Sequence, residues 1–208
     1  MKKIIALLMA TFMFSCVTVT NATATYDGDS KMYATEEGRI IIEVNTEEEY
    51  NAVVQKIKKM NEYSEMLWEK ALEESVGNNG GGIGNTPLGF QPRVYTVASA
   101  TYSFAPTGLY LPAQLQFVAT YDTNTNSAGV TTINAVYSLN AYNNSAGGSL
   151  AVNDARYTLI DSSRTIAANY SCYVGIKSML SERLDYFTLN CYVEFYSNGN
   201  GTVWSVQT

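Results

Sequence analysis
The chain predicts a mainly β fold, an antiparallel β-sandwich of about seven strands preceded by a long amphipathic helix and a Gly-rich linker. Three observations carry this. Apolar residues alternate with period two through most of the sequence after Pro92. Between Thr46 and Leu72 they instead recur at spacings of three and four. The two patterns are separated by GNNGGGIGNTPLGFQP, residues 77–92, whose glycines and asparagines oppose both helix and strand. The organisation read from the sequence is therefore a signal peptide over 1–24, a short strand and acidic helix over 25–76, a linker over 77–92 and the sandwich over 93–208.

The leader carries Lys2 and Lys3, an apolar run from Ile4 to Phe14 and the small-residue sequence Ala22-Thr23-Ala24. Those are the charged region, short hydrophobic region and cleavage site of a secretory signal of bacterial type, and the run is too short to span a bilayer. Cys16 after Ser15 admits a lipoprotein reading, which the bulky Met13 and Phe14 disfavour. Cleavage after Ala24 removes two lysines from a chain with 13 basic and 19 acidic residues, leaving a formal charge of about −8. The export reading implies a secreted, cell-surface or periplasmic location, and no transmembrane helix is expected.

Arg39 to Val44 (RIIIEV) is branched and apolar and predicts a strand. Thr46 followed by Glu49 forms a capping box, and Glu47, Glu48 and Glu49 complement the positive end of a helix. Tyr50, Val53, Ile57, Met60, Leu67 and Ala71 then line one face, Ser64 fills the remaining slot, and Val54, Trp68 and Leu72 widen the stripe. Such a stripe suits packing on the helix's own chain better than an obligate coiled coil, because its mixed residues specify no oligomer. The linker's glycines complete neither a P-loop nor a G-x-G-x-x-G pattern, since Pro87 stands where the last glycine belongs.

In the β region, Val94, Ala98, Ala100, Tyr102 and Phe104 share a face, as do Leu115, Phe117, Ala119 and Tyr121, and then Ile133, Ala135, Tyr137 and Leu139. A weaker segment spans Tyr157 to Ile160. Ile166 to Ile176, Phe187 to Phe195 and Val203 to Val206 complete the set, with turn signals at Asp122 to Asn126, Asn143 to Ser145, Asn153-Asp154 and Asn198-Gly199.

Cys172 and Cys191 are in phase with the apolar faces of their strands. A hairpin pairing Ile176 with Phe187 places them opposite one another, so a disulfide is expected, worth about 3 kcal/mol on the chain-entropy account. With no histidine in the chain, imidazole triads, histidine-ligated metals and imidazole acid/base chemistry are excluded. No catalytic residue, cofactor or metal is expected. Only five basic residues follow Val76, so no basic groove exists for nucleic acid.

If both cysteines face inward, Asn169, Ser171, Tyr173, Asn190, Tyr192, Glu194 and Tyr196 face outward. Tyrosine offers amphipathic contact area at small entropic cost, so Tyr173, Asn190, Tyr192, Glu194 and Tyr196 form the candidate contact set for a glycan or protein partner. The function read from this is an exported, non-enzymatic binding or adhesion module. The alternatives are a pore-forming protein using Ser/Thr-rich strands, and a glycoside hydrolase drawing two carboxylates from Asp122, Asp154, Asp161, Glu182, Asp185 and Glu194.

Overall fold
The structure is a computed structural model. It describes residues 31–35, 38–78, 93–104, 113–143, 148–149 and 152–205. The expected leader, the expected linker beyond Asn78 and the end of the last expected strand lie outside these. The fold is mostly β, with one helix before two sheets. The described strands are β1 (Lys31–Ala34), β2 (Ile40–Val44), β3 (Val94–Phe104), β4 (Ala113–Thr125), β5 (Thr131–Asn143), β6 (Gly148–Ser149), β7 (Val152–Ile160), β8 (Thr165–Ser178), β9 (Leu184–Tyr196) and β10 (Gly201–Trp204), with α1 over Glu47–Asn78.

The first sheet runs β1-β2-β8-β9-β10, and β7 shares with β2 the same edge of β8. Its β2 strand pairs with β8 in parallel, Ile40 beside Val174 and Ile42 beside Ile176. This corrects the expectation of a wholly antiparallel sandwich. The reason is chain direction: α1 and the second sheet intervene between β2 and β8, and a connection of that length allows parallel pairing where a tight hairpin does not. The second sheet, β3-β4-β5-β6, is antiparallel throughout.

The two sheets bury a shared core. From the first come Ile40, Ile42, Val44, Ile166, Tyr170, Cys172, Val174, Ile176, Leu189, Cys191, Val193 and Phe195; from the second come Ala98, Ala100, Phe104, Leu115, Phe117, Ala119, Tyr121 and Ala141. The buried tyrosines keep their hydroxyls satisfied: Tyr121 donates to the carbonyl of Tyr196 at 2.5 Å and Tyr170 to that of Val118 at 3.4 Å. At one side the sheets meet through the Ser99–Asn200 bridge. A Cβ on Gly201 would come within 2.9 Å of the Ser99 carbonyl oxygen, so glycine permits this close approach.

The β8–β9 hairpin departs from the expected register by two residues. Val174, not Ile176, lies opposite Phe187; Cys172 faces Leu189 and Cys191 faces Tyr170. Both cysteines are buried in the core as read, yet both are free thiols. They are diagonal neighbours, and diagonal Cβ atoms lie farther apart than the roughly 3.5–4.5 Å that a disulfide spans. The register follows from the turn, where the Ser178 amide bonds the Arg183 carbonyl at 2.8 Å and Glu182 takes a left-handed φ of 52°.

Candidate functional site
Helix α1 decides which part of the predicted contact face is open. Its first turn is capped as the sequence implies: Thr46 Oγ1 accepts from the Glu49 amide at 3.1 Å. The Glu49 carboxylate reaches back to the Asn45 amide at 2.8 Å. At 32 residues it is about 48 Å long. The N-terminal half sends Tyr50, Val53, Ile57 and Met60 into the main core. The C-terminal half packs Trp68 and Ala71 against Ile160, Ala167 and Tyr192, a separate cluster on the opposite face of the first sheet.

Between the halves the helix passes the edge of β9. Strand β10 pairs with Tyr192 to Phe195, so among the described residues the earlier part of β9 has no strand on that side. There Asn61 accepts from the Asn190 amide at 2.7 Å and donates to the Thr188 carbonyl at 2.8 Å. One side-chain amide thus supplies the donor and acceptor that a neighbouring strand would have offered.

The predicted contact residues therefore separate. Tyr192, only 2% exposed, lies beneath α1, and Asn169 is buried with its side-chain oxygen accepting from Ser64 at 3.3 Å. Tyr192 and Tyr196 both donate to Glu194, at 3.2 and 3.0 Å. Burial, then the Glu194 charge, pushes the Tyr192 phenol up. Asn190 is half-buried and accepts from Ser171 at 2.8 Å. Tyr173 alone of the set stays exposed. All point away from the core as read, but they do not form one open surface.

An open aromatic pair exists on the other sheet, where the sequence reading did not place it. Tyr95 on β3 and Tyr137 on β5 are 67% and 56% exposed, with ring centroids 6.1 Å apart and planes at 25°. The ladder between β4 and β5 shifts between Thr120 and Tyr121 and again between Asp122 and Thr123. Val136 pairs with Tyr121 and Ser138 with Thr120, so Tyr137 is the extra residue of a bulge and turns outward. This corrects the expectation that Tyr137 shares an inner face with Ile133 and Leu139.

Asp122 fixes the pair from below. It is buried, it lies opposite Tyr95 in the β3–β4 ladder, and its carboxylate accepts the Tyr137 hydroxyl. That bond, with burial second, raises the Tyr137 phenol above its ordinary value. Across β3, β4 and β5 Asp122 is the one Asp, Glu, Lys or Arg, and Arg93 stands just before β3.

The other acids past the linker have local engagements or lie exposed. Asp161 pairs with Arg164; Asp185 accepts from Tyr50 at 2.5 Å and pairs with Arg183 at 2.6 Å, and the tyrosine bond leads in lowering its pKa. Asp154 and Glu182 are exposed, on β7 and in the β8–β9 turn. No helix among the described residues is long and apolar enough to cross a membrane. Comparison with protein-family models, with curated proteins and with solved structures finds no match to this chain.

Proposed function
We propose that this chain is an exported, non-enzymatic binding or adhesion module of sandwich-like architecture. Its contact surface is the outer face of β3, β4 and β5, and Tyr95 and Tyr137 are its anchors. The observation that carries the reading is the exposed, near-parallel ring pair, with Tyr137 held by a buried carboxylate. A solvent-facing bulge that turns an aromatic ring outward, and a buried acid spent on orienting it, are features of a surface that meets something. Export rests on the leader pattern over 1–24. The non-enzymatic part rests on the absence of histidine and on the engagement of Asp122, Asp161, Asp185 and Glu194 with their own neighbours. Glycan or protein ligands both fit this statement.

The test is retention on arrays of immobilised glycans and extracellular proteins, wild type beside the Tyr95→Ala/Tyr137→Ala double variant. Both rings are exposed, but Tyr137→Ala also leaves the buried Asp122 without its donor, so the variant is expected to melt a few degrees lower, to remain folded at the assay temperature, and to lose retention. Equal retention by both proteins, or none by wild type on any surface, overturns the reading.

A further inference from the structure
Resting on that reading, we infer that the ligand of the β3–β4–β5 face is a linear, uncharged glycan lying along the strands from the Tyr95–Tyr137 pair to Tyr142. Three observations combine. The first is a third exposed ring: Tyr142 lies opposite Gln116 on the same outer face. It is five residues along β5 from Tyr137, or about 16 Å at roughly 3.3 Å per residue. That span exceeds one sugar ring and needs several in a row.

The second is what lies between. Ser138 is paired with Thr120 and Asn140 with Val118, and Asn140 donates to Ser138 at 3.3 Å. The floor is thus hydroxyl, amide and short aliphatic, matched to a sugar's hydroxyl edge and C–H face, with rings at both ends for stacking.

The third is charge. On these strands the sole formal charge, Asp122, is buried and occupied by Tyr137, and Arg93, just before β3, is a single cation near the ring pair. A polyuronate, a sulfated glycan or nucleic acid would find no row of cations, and a strongly charged protein no complementary field. An uncharged polyol loses nothing by this.

Calorimetric titration of the full chain with neutral gluco-, manno-, galacto- and xylo-oligosaccharides of two to six units, beside a hexameric uronate, tests the assignment. For at least one neutral series, affinity is expected to rise with length and level off once the two ends are bridged. Tyr142→Ala is expected to weaken the longest member about tenfold and leave the disaccharide unchanged, while Tyr142→Phe keeps wild-type affinity for both. Melting curves confirm that both variants fold. Binding of the uronate in preference to every neutral series, or a longest-member affinity indifferent to Tyr142→Ala, overturns the inference. So does absence of binding by all neutral series. If array retention still depends on Tyr95 and Tyr137 in that case, the face binds something else and only the glycan assignment falls.

Discussion

Asn61 and Asn190 are joined across the edge of β9: the side-chain oxygen of the first accepts the backbone amide of the second at 2.7 Å. With the companion bond to Thr188, this lets a helix close an edge that β10 leaves uncovered. The same contact marks where α1 passes from the main core to the outer face, so it positions the cover over Tyr192.

Asn61→Ala removes both bonds. Because this edge is partly wet, water takes over part of the lost bonding, and a loss of about 1–2 kcal/mol is expected in urea denaturation. Asn61→Asp keeps an acceptor for Asn190 but offers no donor to Thr188, and is expected to remain destabilised. Wild-type stability in both variants would remove Asn61 as the edge clamp.

The turn after β7 holds Asp161, Ser162 and Ser163 in consecutive left-handed conformations, at φ of 52°, 54° and 63°. A side chain there costs roughly 1 kcal/mol that glycine does not incur. Ser162 is exposed, so Ser162→Gly is expected to raise the melting temperature by a few degrees. A lower melting temperature would show that the serine contributes more than its backbone strain takes away.

Burial pushes the Cys172 thiol up to about 12 and raises Cys191 as well. In the unfolded chain both titrate near 8.5. The folded state therefore binds more protons than the unfolded one above that value. The stability contribution is complete below about pH 8 and is lost as pH rises from there towards the folded values, by up to about 2.7 kcal/mol per pH unit for the two thiols together. Tyr170 and Tyr192, also raised chiefly by burial, add to the loss above about pH 10. Urea midpoints measured from pH 7 to 10.5 should be level at first and then fall. The thiols should resist alkylation at pH 8 until denaturant is added. Rapid labelling of the native protein, or a midpoint that climbs with pH, contradicts the burial.

Asp122 raises the Tyr137 phenol by accepting its proton in a hydrogen bond. In Asp122→Ala that phenol should titrate at a lower pH, closer to its ordinary value, in a spectrophotometric titration compared with Tyr137→Phe to identify its signal. An unchanged titration would mean that the ring is not held from below.

Much of the fold was legible because period two and period 3.6 are distinct signals. The alternation in Leu115 to Tyr121 and Leu189 to Phe195 identifies buried faces, and the 46–72 stripe identifies the helix. Pairing was harder. A slip of two residues returns every side chain to the same face, so the pattern that turned Cys172 and Cys191 inward could not distinguish Leu189 from Cys191 as the partner of Cys172. The extra residue at Tyr137 left a trace, since Ala135-Val136-Tyr137 is three apolar residues in a row where alternation allows one, a mark of a bulge. Ser64, the polar slot in the stripe, also had a reason: it sits against Asn169, on the face read from sequence as the contact surface. Where a helix lands on a sheet is a tertiary outcome, and no local spacing announces that Tyr192 will be covered.

The most direct test is a nuclear magnetic resonance titration of the labelled chain with whichever neutral oligosaccharide binds most tightly. Shifts are expected to gather on Tyr95, Tyr137, Ser138, Asn140 and Tyr142, with Asn169, Asn190 and Tyr192 silent beneath α1. Shifts centred instead on Tyr173, Asn190 and Tyr192, or scattered over both sheets, would contradict it.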